Sequence, residues 1–223
     1  MRTFVAVALL AAALQGQSPD AAAFLPPKAG LIVGIHWQRL LASPMGAALR
    51  EQMRGNKLPS HPLMDGTLKL IEDIDSVVIA GSAPGAGKLK DPAFLVVVKG
   101  RFEAAQLRPL FQRGGPPEMY QGLEVWAPDK ADPKAPRLAL FDSQTLVFGE
   151  RRQLTAALDR QRAQAIAGLP PRALELAAGN DFWMIMDTPP GLLAGGPPMA
   201  SQMLAGVTRV ESGTSFANGL STR

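Results

Sequence analysis

The end of this chain repeats a plan already laid down near its beginning, and that repeat limits its folds more than any other feature. Residues 31–102 contain LIVGIHWQRLLASPMGAALREQM, then IDSVVIAGS, then FLVVVKGRF; residues 182–223 read FWMIMDTPPGLLAGGPPMASQMLAGVTRVESGTSFANGLSTR. Each version has an apolar strand, a Leu-Leu pair, a Pro-opened helix and two further strands. Leu31–Ile35 matches Phe182–Met186, Leu40-Leu41 matches Leu192-Leu193, and Pro44 matches Pro197-Pro198. The first version continues into a helix, so the second reads as an incomplete copy.

Local chemistry supports these elements. Ser43-Pro44 is a helix start, because a Ser side chain caps free N–H groups and Pro suits the first helical position. A helix over 44–54 follows, and another near 62–72. Val77–Ala80 and Phe94–Val98 are β-branched or aromatic runs that suit strands. The helix beginning at Phe102 carries Pro109, which is expected to kink or end it. Tyr120–Trp126 reads as a strand or edge ribbon. Leu138–Phe141 and Thr145–Phe148 flank Asp142-Ser143-Gln144 as a tight hairpin, and helices are expected over 150–166 and 172–178. Strands at Val207–Glu211 and Phe216–Ser221 close the chain. Strand, helix, strand, strand, helix, strand is the split βαβ order, so the expected fold is α+β. Two sequential ferredoxin-like units with mainly antiparallel sheets are expected, the second truncated: 24–179 with an appended hairpin and helices, and 180–223.

Residues 1–23 read as a signal peptide. Arg2 precedes an unbroken apolar run, Phe4–Leu14, which is shorter than the roughly 20 residues a membrane span needs. Cleavage is expected after Gly16, or after Ala23 with Ala21 two places before it. A periplasmic or secreted location follows, with no transmembrane segment left after cleavage. Apolar residues make up 47% of the chain and charged residues 19%, enough for a packed core. With no cysteine, disulfides, thiolate nucleophiles and Cys-based zinc sites are excluded. The net charge of +4 is dispersed. Its densest spot, Arg151, Arg152, Arg160 and Arg162, fits a solvated helix face, and nucleic acid is not an expected partner.

Motifs for chemistry are few. The loop IAGSAPGAGKLK (79–90) resembles a phosphate-binding loop. It has Ser82 where the first Gly belongs and Leu89 where a Mg²⁺-binding hydroxyl belongs, and a strand follows it. His36 and His61 have no helical metal spacing, and the carboxylates at 72–75, Asp129, Asp132, Asp142 and Asp187 fit turns and caps. No G-x-S-x-G or S-x-x-K occurs. No catalytic residue, metal ligand or cofactor is therefore expected. The residues that could line a ligand groove are Trp37, Trp126 and Trp183, with His36 and Asp187 at strand ends, although tryptophans also anchor cores.

Taken in order, Leu40–Pro44, the YQGLEVW strand (Tyr120 to Trp126) and the hairpin from Asp142 to Gly149 that leads into a helix carry a resemblance. Over about residues 24–223 the chain resembles a family of exported bacterial proteins sharing a domain of unknown function. The resemblance implies an exported α+β protein and carries over no catalytic residue. The expected function is a non-catalytic binding or scaffold module of the cell envelope, with a protein or peptide partner. The alternative is a small envelope hydrolase using carboxylates in a cleft between the two units. A third possibility is a peptide binder that adds a strand at the sheet edge of the second copy.

Overall fold

The computed structural model of the protein describes residues 19–55, 70–82, 94–111, 115–127, 132, 135–163, 169–188, 207–216 and 221–222. The helices among these are α1 (Pro19–Ala22), α2 (Trp37–Ala42), α3 (Pro44–Gly55), α4 (Ala104–Phe111), α5 (Arg151–Arg162) and α6 (Pro171–Gly179). The strands are β1 (Leu31–His36), β2 (Ile74–Gly81), β3 (Phe94–Gly100), β4 (Glu118–Tyr120), β5 (Leu123–Trp126), β6 (Arg137–Asp142), β7 (Thr145–Gly149), β8 (Phe182–Asp187), β9 (Arg209–Ser215) and β10 (Ser221–Thr222). The loop at 83–93, the Leu192-Leu193 and Pro197-Pro198 matches, His61, Asp129 and the apolar run Phe4–Leu14 lie outside the described residues.

The strands join one 10-stranded sheet in the order β10-β9-β8-β1-β2-β3-β7-β6-β5-β4. Every neighbouring pair is antiparallel. This corrects the expected pair of ferredoxin-like units. A split βαβ needs a parallel neighbour reached by a crossover helix, whereas here β1 lies between β2 and β8 with both antiparallel. The α+β class and the antiparallel sheet stand.

The repeat survives in a different geometry. Read outward from the β1–β8 seam, β1-β2-β3 mirrors β8-β9-β10. Leu31 pairs with Met186, Ile32 with Ile185, Val33 with Met184, Gly34 with Trp183 and Ile35 with Phe182. This register has an approximate two-fold axis through the Val33–Met184 pair, exchanging Leu31 with Phe182 and Ile32 with Trp183. The matched sequences are thus neighbours across one seam. The final strands fall at Arg209–Ser215 and Ser221–Thr222, later than expected, and β10 pairs with β9 through Ser221–Ser215 and Thr222–Thr214.

Alternation along each strand sends side chains to opposite faces. On one face a continuous rung crosses the sheet through Trp183, Gly34, Val78, Val97, Val147, Ala139 and Val125, paired in that order. The main core covers this rung with Leu154, Ala157 and Leu158 of α5, Ala173 and Ala177 of α6, and Ala21, Ala22, Phe24 and Leu25. On the other face Phe102 and Leu107 pack with Trp126, Leu138 and Leu146. There α4 lies across the β5–β7 end of the sheet, and it runs to Phe111 with Pro109 inside it rather than stopping short.

Helix starts follow the sequence. Ser43 Oγ accepts from Gly46 N at 3.2 Å, and Pro44 opens α3. The segment Trp37–Ala42 is helical. The β6–β7 hairpin turns at Ser143-Gln144, where Asp142 Oδ1 accepts from Gln144 N at 2.8 Å. No helix among the described residues is long and apolar enough to cross a membrane.

Candidate functional site

The five residues singled out from the sequence do not form one groove. Trp183 is 2% exposed in the main core. Trp37 opens α2 and donates from its indole Nε1 to the carbonyl of Ile71 at 2.9 Å. His36 Nε2 sits 2.9 Å from the carbonyl of Ala177, tying β1 to α6. Asp187 accepts from Arg209 Nε at 2.9 Å, on neighbouring strands. The seam register puts His36 and Asp187 at opposite ends of the β1–β8 seam, roughly 20 Å apart. The expected cleft between two units is occupied by hydrogen-bonded strands. Trp126 lines a cavity.

That cavity, of about 610 Å³, lies between α4 and the β4–β5 hairpin, walled by Arg108, Gly115, Pro116, Pro117, Glu124 and Trp126. Each wall has a local cause. Glu124 and Trp126 are two apart on β5, so they share a face. Trp126 is 4% exposed and joins the second core cluster beneath the cavity. Arg108 lies one residue beyond Leu107, which α4 buries in that cluster. The guanidinium grips Glu124 in a two-point contact: Nε to Oε2 at 3.2 Å and Nη2 to Oε1 at 2.8 Å. The two prolines supply stiff apolar walls with no N–H groups to satisfy.

The hairpin beside the cavity is held from the far side. Gln121 (φ 51) and Gly122 (φ 82) both adopt left-handed backbone, the two-residue turn that matches strand twist. The Tyr120 hydroxyl donates to Asp159 Oδ1 at 2.9 Å, and Gln121 Nε2 donates to the same carboxylate. Arg162 donates to the Gln121 carbonyl. The Asp159 hydrogen bond, more than burial, raises the Tyr120 pKa above its ordinary value, because ionising the phenol would forfeit that bond.

A second cavity, of about 450 Å³, opens where β2, β3 and the β6–β7 turn meet, lined by Asp73, Arg101, Phe102, Glu103, Gln106, Ser143 and Gln144. Arg101 stands 3.6 Å from Asp73, and Gln106 donates to Glu103 at 3.1 Å. Among the described residues, no three His, Asp or Glu side chains converge as metal ligands would. The sequence reading missed Arg108, Glu124, Pro116 and Pro117. The Glu-x-Trp spacing on β5 was the available signal, since it sets both on one strand face.

No protein-family model matches the chain, and no curated protein does. Solved structures do resemble it. Crystal form III of TP0453 superposes with a TM-score of 0.54 at 10% identity, covering 91% of this chain and 76% of that one. Form I gives 0.54 at 11% identity, with 91% and 75% covered. Form IV gives 0.51 at 10%, with 88% and 75%. At such identity, the likeness is one of fold.

Proposed function

We propose that this chain is an exported, non-catalytic binding module of the cell envelope, and that its ligand occupies the Trp126 cavity. One observation carries the reading: a cavity of ligand size in which a neutralised guanidinium–carboxylate pair faces apolar walls. Arg108 keeps donors and Glu124 keeps lone pairs beyond those they share, so the pair can orient a polar group while Pro116, Pro117 and Trp126 take an apolar one. An apolar peptide side chain with its backbone amide has that chemistry, which fits a protein or peptide partner. The N-terminal apolar run supports export.

The test is a titration with short apolar peptides, followed through amide and indole NMR signals. Binding should move the Trp126 indole signal and leave those of Trp37 and Trp183 in place, and Arg108→Gln should weaken it at least tenfold. Peptides that leave Trp126 unmoved, or that bind equally to the variant, would overturn the reading.

The hydrolase alternative draws on the second cavity, where Asp73 and Glu103 share a wall with Arg101 and Ser143. It requires turnover of an ester, peptide or glycoside substrate that Glu103→Gln abolishes.

A further inference from the structure

We infer that Ala21–Leu25 belongs to the folded domain, and that removal of the leader stops upstream of Pro19 instead of between Ala23 and Phe24. The inference rests on the export reading only for the cut itself.

The sequence offers Ala21-x-Ala23 as a small-residue cleavage site. The fold uses those residues otherwise. Ala21, Ala22, Ala23, Phe24 and Leu25 are 0%, 2%, 7%, 1% and 3% exposed. Four of them lie in the main core cluster with Leu154, Ala157 and Leu158. Phe24 stands edge-on to Phe141, with ring centroids 5.1 Å apart and an angle of 82° between the planes. Phe24 N donates to the Ala21 carbonyl at 3.2 Å and Leu25 N to the Ala22 carbonyl at 3.1 Å. Arg160 Nη2 donates to the Phe24 carbonyl at 2.6 Å.

A cut after Ala23 would undo this in three ways. The core would lose three small residues that fill it. Phe24 N and Leu25 N would lose their acceptors. The new terminus at Phe24 would be an ammonium at neutral pH, since α-amino groups titrate near 8. It would lie against the main core, on the residue whose carbonyl already holds the Arg160 cation. A buried charge needs an opposite partner, and here its neighbour has the same sign. A cut upstream of Pro19 leaves the terminal charge outside this contact.

Three measurements test the inference. The first is the intact mass of the protein recovered from the envelope fraction of a bacterial host. A first residue upstream of Pro19 supports the inference, and a first residue of Phe24 overturns it. Protein retained uncut in the cytoplasm would sink the export reading, and the other two measurements then decide. In the full chain, Ala21→Asp should lower the unfolding midpoint by about 10 °C or prevent folding, whereas Lys28→Asp, at an exposed position, should leave it in place. In the unaltered chain, the amides of Phe24 and Leu25 should exchange as slowly as those of Val97 and Val147. An unchanged midpoint for Ala21→Asp, or fast exchange at Phe24 and Leu25, would overturn it.

Discussion

Gly34 and Trp183 face each other across the β1–β8 seam, and the indole fills the space that any side chain at position 34 would need. A Cβ built on Gly34 would stand 2.1 Å from Trp183 Cε2 and 2.3 Å from Nε1. The two residues come from the matched strands of the repeat, and the approximate two-fold axis exchanges them with Ile185 and Ile32. At one such place the seam holds an Ile–Ile pair. At the other it holds the largest side chain against none.

Gly34→Ala should therefore destabilise the protein by about 3 kcal/mol, an overpacking cost at a site where the neighbour is a rigid ring. Trp183→Ala should cost roughly 3–5 kcal/mol through the cavity it leaves. The double variant should cost clearly less than the two added, because each change relieves the fault of the other. Urea unfolding of the three variants checks this; strict additivity would mean that the two residues do not share the space.

The chain has a single tyrosine, so its ultraviolet titration reads Tyr120 alone. The Asp159 hydrogen bond raises the Tyr120 pKa in the folded protein. A folded value above the unfolded one means that the tie between β4 and α5 is fully present below about pH 10 and is lost as pH rises through the raised value. Asp159→Asn should bring the titration midpoint down towards the ordinary phenol value and flatten the fall in stability above about pH 10. A midpoint that ignores the substitution would refute the assignment.

The strands were legible because their signals are local. Val77–Ala80, Phe94–Val98 and the Asp142 hairpin carry their β-branched or turn residues within a few positions. The match between Leu31–Ile35 and Phe182–Met186 was legible too, but its meaning was not. Periodicity shows that a strand has a buried face and leaves its neighbour unspecified, and β1 and β8 lie far apart in the sequence. A tandem repeat on paper was therefore compatible with two units side by side and with one sheet folded about a seam. The same limit hid the cavity. Arg108 and Glu124 converge only because Leu107 seats α4 on the sheet, and tryptophan content alone could not separate Trp126 at a cavity wall from Trp183 in the core.

Asp181 fastens the start of β8 to the end of β9. Its carboxylate accepts from Phe216 N at 2.8 Å and Ser215 Oγ at 3.3 Å, with Arg39 at 3.6 Å. The side chain is 7% exposed, and that of Arg39 is 50% exposed. The backbone amide should matter more than the half-exposed cation. Asp181→Asn keeps an acceptor for Phe216 N and should cost under about 1 kcal/mol. Asp181→Ala strands that N–H and should cost about 2 kcal/mol. Equal losses for the two variants would mean that the Arg39 charge, not the amide, dominates.

Arg108 and Glu124 are predicted to separate binding from stability. Their side chains are 55% and 28% exposed, so water screens the ion pair despite its two-point geometry. Surface pairs of this kind contribute about 0–1 kcal/mol. Arg108→Gln and Glu124→Gln should accordingly unfold within about 1 kcal/mol of the parent, while each weakens peptide binding in the Trp126 cavity. Exchanging the two charges, Arg108→Glu with Glu124→Arg, should restore the ion pair and the parent stability. Binding should stay weak, because the polar group of the ligand would then meet donors and acceptors in swapped places. Calorimetric titration beside urea unfolding on the same samples checks both halves. If the single variants lose stability in proportion to affinity, the pair is a structural clamp for the hairpin and the cavity holds no recognition chemistry of its own.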